Sequence, residues 1–357
     1  MNQSPFIFFC RPGFESDCAA EIQEFALALD LAGYVNTKPL SGYVRFVLYD
    51  EQSTQTFFQQ LDIKELIFAR QWFLAKAEYE ELPLEDRVSP IVEFCHQQGT
   101  VKQLLVEHLD DDKGRELSKF CKMFSTPLTI ALERKGVINE ESEVQLHLLF
   151  LSNQHAMVGY SPLGKASKHK GGILRLKSPK DAPSRSTLKL DEAIQTLMSG
   201  KQRKAVLRLG HTAVDLGAAP GGWTYQLVKH GLQVTAIDNG SMDKKLMATE
   251  HVIHLKENAL NWMPEKPVHM LVCDMVEKPS LVARLMAKWL VEGKTEHAIF
   301  NLKLPMKKRY QEVADCLDLI CDQLEEHDIS YFWLAKHLYH DREEVTVYFR
   351  RKMPKYN

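Results

Sequence analysis

The run Asp215-Leu-Gly-Ala-Ala-Pro-Gly-Gly-Trp-Thr follows an apolar stretch and precedes a helical one, so the chain passes from strand through a glycine turn into a helix. Gly217, Gly221 and Gly222 permit a tight turn and close approach of a ligand to the backbone, and the free N–H groups of the following helix offer donors to it. That chemistry is cofactor binding. A dinucleotide fingerprint requires G-x-G-x-x-G, and Ala218, Ala219 and Pro220 break that spacing, which speaks against a nicotinamide dinucleotide. Asp238 closes a strand 23 residues after Asp215, where nucleotide-binding folds place a carboxylate for ribose hydroxyls. Asp238-Asn-Gly is also favourable turn chemistry, and the two roles are compatible. Asp274 ends Leu271-Val-Cys-Asp at the carboxyl edge of an expected sheet, and Lys303 ends the next apolar strand in Phe300-Asn-Leu-Lys-Leu-Pro. Burying an ammonium is costly without partners or a task, so Lys303 reads either as a functional amine or as a snorkelling side chain with its head in water.

These residues need a sheet to position them. After Pro183 a helix with Leu190, Ile194 and Leu197 on one face is expected, and strands fall near 212–216, 233–238, 252–255, 268–274 and 297–303, most followed by helices. Such alternation predicts an α/β fold with a parallel, doubly wound, Rossmann-like sheet. Residues 329–335 and 344–351 then form two alternating apolar runs, a terminal antiparallel hairpin. Upstream, strands at 6–9 and 43–48 flank a helix from about Glu15 to Leu29, a small α+β unit. A second module follows from Ile67, with helices near 90–97 and 116–132 and strands at 104–107, 144–151 and 156–160. Residues from 161 onward mix Pro, Gly and Ser with Lys165, Lys168, Lys170, Arg175, Lys177, Lys180 and Arg185, and read as a basic linker, either touching phosphate or solvated.

The Pro-Gly-Gly-Trp ending of the glycine turn resembles motif I of S-adenosylmethionine-dependent methyltransferases, particularly the FtsJ-type Rossmann-fold branch that methylates ribose 2′-hydroxyls. Lys189, in Ser186-Thr-Leu-Lys, Asp274, Lys303 and Glu344, in Arg342-Glu-Glu-Val-Thr-Val, are similar in order and strand placement to that family's Lys-Asp-Lys-Glu tetrad. The stretches from Ala182, Val272, Asn301 and Leu338, with Cys10-Arg-Pro-Gly-Phe-Glu at the amino terminus, resemble the bacterial 23S ribosomal RNA cytidine 2′-O-methyltransferases. The resemblance implies S-adenosyl-L-methionine as cofactor, held by Ser186, Gly217, Ala219, Pro220, Gly221, Gly222, Trp223, Asp238, Asn258 and Asp274, with no metal. It implies 23S ribosomal RNA as partner and catalysis by Lys303, Asp274, Lys189 and Glu344. Where the family often has an aspartate beside adenine, this chain has Asn258, whose amide can still donate and accept. The implied layout is a ferredoxin-like unit over 1–62, a THUMP-type RNA-binding module over 63–160, a linker over 161–182 and the catalytic domain over 183–357.

Lys303 is the expected general base, yet a free lysine has a pKa of about 10.4, so something must lower it. Burial and the Lys189 cation act downward, whereas Asp274 and Glu344 act upward and more plausibly orient than activate. Other methylations need other residues. An adenine amino-methyltransferase would show Asn/Asp-Pro-Pro-aromatic where this chain has Asp274-Met-Val-Glu, and Cys273 alternates with Asp274 and reads as core rather than nucleophile. The rivals that stay open are an RNA-binding protein with a non-catalytic methyltransferase fold or a methyltransferase acting on a different RNA, and a methyltransferase for a protein or small molecule. The last would not need the basic linker or Lys307-Lys308-Arg309.

With 357 residues, two or more domains are expected. The net charge of −2 conceals asymmetry: residues 1–160 carry 14 Lys+Arg and 24 Asp+Glu, and residues 161–357 carry 31 and 23. The basic half suits contact with a polyanion through selected surfaces. No stretch approaches membrane length and the start lacks a secretory pattern, so a cytoplasmic location without membrane contact is expected. Seven cysteines without a C-x-x-C pair argue against a disulfide framework or zinc site. The chain is expected to act as a monomer with no obligate protein partner.

Overall fold

A computed structural model describes residues 3–352, which divide into two compact units at Ile173/Leu174. The first contains β1 (Phe6–Phe9), α1 (Glu15–Ala28), β2 (Gly33–Thr37), β3 (Tyr43–Leu48), α2 (Glu51–Gln60), β4 (Gln71–Tyr79), α3 (Val88–Gln98), β5 (Gln103–His108), α4 (Asp112–Arg134), β6 (Val144–Phe150) and β7 (Ala156–Pro162). Its strands form one seven-stranded sheet in the order β2-β3-β1-β4-β7-β6-β5. β4 pairs with β1 on one side and β7 on the other, so the two expected amino-terminal modules share a continuous sheet across residue 62. Phe6 and Phe8 pack on Phe57 of α2, and a second core collects α3 and α4 through Ile91, Cys95, Phe124 and Leu128.

Residues 161–173, expected as the start of a linker, belong to this first unit. The Lys165 carbonyl accepts from Ile63 N–H at 2.8 Å and from the Trp72 indole at 2.9 Å, and the Ser167 carbonyl accepts from the amides of Gln71 and Gln145, both at 3.0 Å. Glu107, fully buried, accepts from Gly171 N–H at 2.8 Å and contacts His147 Nδ1 at 2.8 Å, while His147 Nε2 meets Ser161 Oγ at 2.8 Å. Backbone groups are gripped here, which side-chain composition does not reveal.

The second unit contains α5 (Thr187–Leu197), α6 (Gly200–Val206), β8 (Thr212–Leu216), α7 (Gly222–Lys229), β9 (Gln233–Ile237), α8 (Lys244–Met247), β10 (Val252–Leu255), β11 (Met270–Cys273), α9 (Pro279–Val291), β12 (His297–Lys303), α10 (Arg309–Glu326), β13 (Tyr331–Lys336) and β14 (Glu344–Arg351). The sheet order is β10-β9-β8-β11-β12-β14-β13. The first five strands are parallel, and β14 runs antiparallel to both its neighbours. Chain order reverses between β8 and β11, so their carboxyl ends flank a switch-point crevice of the kind that takes ligands in open α/β sheets. Leu190 and Ile194 of α5, with Trp223 and Leu227 of α7, cover one face over Val272, Ile299 and Tyr348. Each such large side chain contributes about 1.5–3 kcal/mol by leaving water, which makes this stripe the main anchor of α5.

Candidate active site

Strand geometry gathers four charged side chains at the carboxyl edge. Lys303 is the last residue of β12 and lies opposite Glu344, the first of β14. Asp274 follows β11, the other neighbour of β12, and Lys189 reaches in from the first turn of α5. The Lys303 ammonium donates to Asp274 Oδ1 at 2.6 Å and also to Glu344. Lys189 contacts Glu344 closely and lies 3.4 Å from Asp274 Oδ2. Side-chain exposure is 19% for Lys189, 14% for Asp274, 23% for Lys303 and 6% for Glu344, so the cluster is screened from bulk water yet open on one side. All four expected catalytic residues therefore stand together, two cations on two carboxylates.

The electrostatics oppose the simplest account of Lys303. Burial is the largest influence on its ammonium and pushes its pKa down, but Asp274 and Glu344 together outweigh it and hold the pKa above the ordinary lysine value. Lys303 is thus a cation in this site. Cys273 points into the core, fully buried, with its thiol pushed up to about 12, as the alternation with Asp274 predicted.

The glycine turn lies beside this cluster in the sheet, on β8. Gly217 and Gly221 have φ of +76° and +114°, and a Cβ at either would sit 2.5 Å from Met275 or Leu246. The first requirement is left-handed backbone and the second is packing room. Gly222 starts α7 where a Cβ would lie 2.1 Å from Ser186 Oγ and 2.3 Å from Ser184 Oγ, so the first turns of α5 and α7 abut, and Ser186 joins the turn. Ala219 and Pro220 are joined by a cis peptide bond. Asp238 Oδ2 accepts from Ala219 N–H at 2.9 Å and Oδ1 from Gly240 N–H at 2.6 Å. Its turn role is realised, and it ties the end of β9 to the glycine turn. Each oxygen retains a second lone pair for a hydroxyl.

Two expected cofactor contacts look different in three dimensions. Trp223 is buried in the α5–α7 core, where its indole packs, and its backbone N–H is among the free donors in the first turn of α7. Asn258 stands exposed after β10, its Oδ1 accepting from Leu260 N–H at 3.0 Å, which leaves the amide group to donate.

Several polar residues that sequence reading passed over complete the site. Asn301, fully buried, donates from Nδ2 to Asp274 Oδ1 at 2.9 Å, and Thr346 Oγ1 lies 2.7 Å from Asn301 Oδ1 and 2.9 Å from Asp341 Oδ2. Asn301 and Thr346 lie opposite each other, two residues deeper than Lys303 and Glu344, and so share their face. That period of two was the available signal. Glu192 of α5 accepts from the N–H groups of Tyr339 and His340, both at 2.9 Å, and from His340 Nδ1 at 2.7 Å, fixing the β13–β14 loop that carries Asp341. Asp215 is buried, with Oδ2 accepting from Thr224 at 2.6 Å and Oδ1 without a partner, and burial raises its pKa to about 7.

A switch-point crevice with a glycine turn on β8 and a Lys-Asp-Lys-Glu cluster on β11, β12, β14 and α5 defines a Rossmann-like methyltransferase, and residues 182–324 match the FtsJ-like methyltransferase family. The amino-terminal unit matches two more specific families, the RlmM ferredoxin-like domain over residues 3–73 and the ribosomal RNA large subunit methyltransferase M N-terminal domain over 86–162. Ribosomal RNA large subunit methyltransferase M of Psychromonas ingrahamii is 47% identical over 96% of this chain and 95% of its own length. The Pseudoalteromonas translucida protein of that name is 48% identical over 97% and 96%. The chain belongs to the ribosomal RNA large subunit methyltransferase M family.

Proposed function

We propose that this methyltransferase moves the methyl group of S-adenosyl-L-methionine to the ribose 2′-hydroxyl of a cytidine in 23S ribosomal RNA, with Lys303 as the general base. The observation that carries this reading is the neutral tetrad of two ammoniums and two carboxylates at the strand ends, beside the glycine turn. Family membership supports the ribosomal RNA substrate. Cytidine, the 2′ position and the cofactor rest on the sequence resemblance.

The residues present fit that cofactor. The unpaired buried Asp215 Oδ1, the bare backbone at Gly217 and Gly221, and the second lone pairs of Asp238 offer polar groups around one turn. When bound, the cofactor supplies an electrophilic methyl on a positively charged sulfur. What this chain must supply is orientation of the hydroxyl and a place for its proton. Lys189 and Lys303 hold the carboxylates of Asp274 and Glu344 in fixed directions, giving the ribose a rigid seat. Losing the Lys303 proton leaves the tetrad one charge negative, a state favoured beside a cationic group, so the amine empties more readily in the loaded site than in the free one. Closing RNA over the site also strengthens the desolvation that already acts downward on Lys303. One chain supplies all four residues, which supports action as a monomer. The THUMP-type role of residues 63–160 in holding RNA is part of the same proposal.

The test is transfer in vitro from labelled cofactor to 23S ribosomal RNA lacking the modification, followed by nucleoside mass spectrometry. Wild type is expected to yield 2′-O-methylcytidine, and Lys303→Ala to lose at least about a hundredfold in rate while binding cofactor normally. Turnover retained by Lys303→Ala at neutral pH removes Lys303 as base, and a base-methylated product removes the ribose reading.

A further inference from the structure

We propose that Asn301 is a positioning residue that sets the hold of Asp274 on the Lys303 proton, and that a buried chain from Asp341 through Thr346 sets Asn301 in turn. Its catalytic meaning rests on the reading of Lys303 as the base, but the arrangement itself stands on geometry. Asn301, Thr346 and Asp341 are all fully buried, so each polar atom must be satisfied from within the protein. The Thr346 hydroxyl has one proton and two oxygens within reach, Asn301 Oδ1 at 2.7 Å and Asp341 Oδ2 at 2.9 Å. One of those contacts must run the other way. Asn301 can only donate to the Asp274 carboxylate, so its Oδ1 takes the Thr346 proton. Asp341 Oδ2, which also accepts from Leu338 N–H at 3.1 Å, must meet Thr346 Oγ1 as a donor. Burial, which pushes the Asp341 carboxyl well above its usual range, agrees with its holding that proton. Thr346 then donates to Asn301 Oδ1.

With its carbonyl satisfied by Thr346, Asn301 presents Nδ2–H to Asp274 Oδ1, at 2.9 Å, the same oxygen that receives the Lys303 ammonium at 2.6 Å. A second donor on Oδ1 withdraws charge from it, so the carboxylate grips the ammonium less tightly and the amine is easier to empty. A reversed amide would set carbonyl oxygen against carboxylate. Other charges facing Lys303 are Glu344 from β14 and Lys189 from α5, with the Cys273 thiol beside Asp274 and Asp215 behind it on β8. Asn301 bonds one of the two carboxylates that hold the Lys303 proton, Asp274.

The experiment is competitive acetylation of full-length protein at pH 9, scored for each lysine by peptide mass spectrometry with exposed lysines as internal standard, since acetylation follows the neutral fraction of each amine. In Asn301→Ala and in the near-isosteric Thr346→Val, Lys303 labelling is expected to slow about three- to tenfold, a rise in its pKa of roughly half to one unit. Thr346→Ser, which restores the hydroxyl, returns it towards the wild-type rate. Unchanged labelling overturns the proposal, and so does faster labelling, which is what loosened packing alone would give. Because no turnover is involved, this result is independent of the reaction. Failure of wild type to methylate RNA would overturn the catalytic reading and leave the relay to be decided by the labelling.

Discussion

Asp215 opens the glycine turn, yet its chemistry is set by depth. The carboxyl is fully buried, and that burial, the largest influence, with the Asp274 and Asp238 charges adding to it, outweighs the Thr224 hydrogen bond and raises its pKa to about 7. The unfolded value is about 3.9, so the folded chain keeps this proton where the unfolded chain releases it. Stability linked to Asp215 is therefore complete below about pH 4 and is lost as pH rises to about 7, with an upper bound on the order of 4 kcal/mol. Asp215→Asn keeps an acceptor for Thr224 and removes the titration. In urea unfolding, the variant should gain on wild type from pH 4 to 7 and hold a constant advantage above that. A difference that stays flat across the window would show that Asp215 ionises freely in the fold. Lys303 shows a different side of the same physics. Its position at a strand end was legible in the sequence, but the balance of burial against two carboxylates was not, because it depends on atoms brought by β11 and β14.

Elements with strong periodicity were readable and those without it were not. The five parallel strands and the terminal hairpin stand where alternation and apolar runs placed them, since buried strands carry their pattern in sequence. The expected helix at 116–132 lies inside the longer α4, which begins with Asp111 accepting from Gly114 N–H and passes through Pro127. β2, Gly33-Tyr-Val-Asn-Thr, is wholly half-buried or exposed, and α2, Glu-Gln-Ser-Thr-Gln-Thr-Phe-Phe-Gln-Gln, buries only Thr54 and Phe57, so neither announced itself. The Glu107–His147–Ser161 network and its grip on Gly171 join segments far apart in the chain. No local signal encodes such pairing. At the glycine turn the sequence marked Gly222 for tight turning and close ligand approach, and the structure adds a packing requirement, because the first turns of α5 and α7 abut there. Gly222→Ala should lower stability by about 1–3 kcal/mol and weaken cofactor binding, checked by thermal unfolding and calorimetric titration of S-adenosyl-L-methionine. Normal cofactor affinity in a folded Gly222→Ala protein would separate that turn from the binding site.

Over the whole molecule, charge is divided between a first part, 1–160, at −10 and a second, 161–357, at +8. Among the described residues no helix is long and apolar enough to cross a membrane. The basic part holds the tetrad, and in the loops that follow β11 and β12, close in sequence to Asp274 and Lys303, stand Val276 at 89% exposure and Met306 at 92%. Lys307 and Lys308 are exposed beside Met306, and Arg309 pairs with Glu343 at 3.3 Å. Apolar side chains this bare at a site rim suit contact with a base, and the cations suit phosphate. Replacing both Val276 and Met306 by Ser should raise KM for RNA about three- to thirtyfold, with kcat and cofactor affinity nearly unchanged. An unaltered KM would show that RNA does not cover these residues.

Methylation of a ribosomal RNA ribose at the proposed tetrad is tested most directly by a map of 2′-O-methylation across ribosomal RNA in cells lacking this protein. One cytidine of 23S ribosomal RNA should lose its methyl group, regain it when wild type is restored, and stay unmethylated with Lys303→Ala expressed at the same level. A map unchanged by the deletion, or a mark restored by Lys303→Ala, would contradict it.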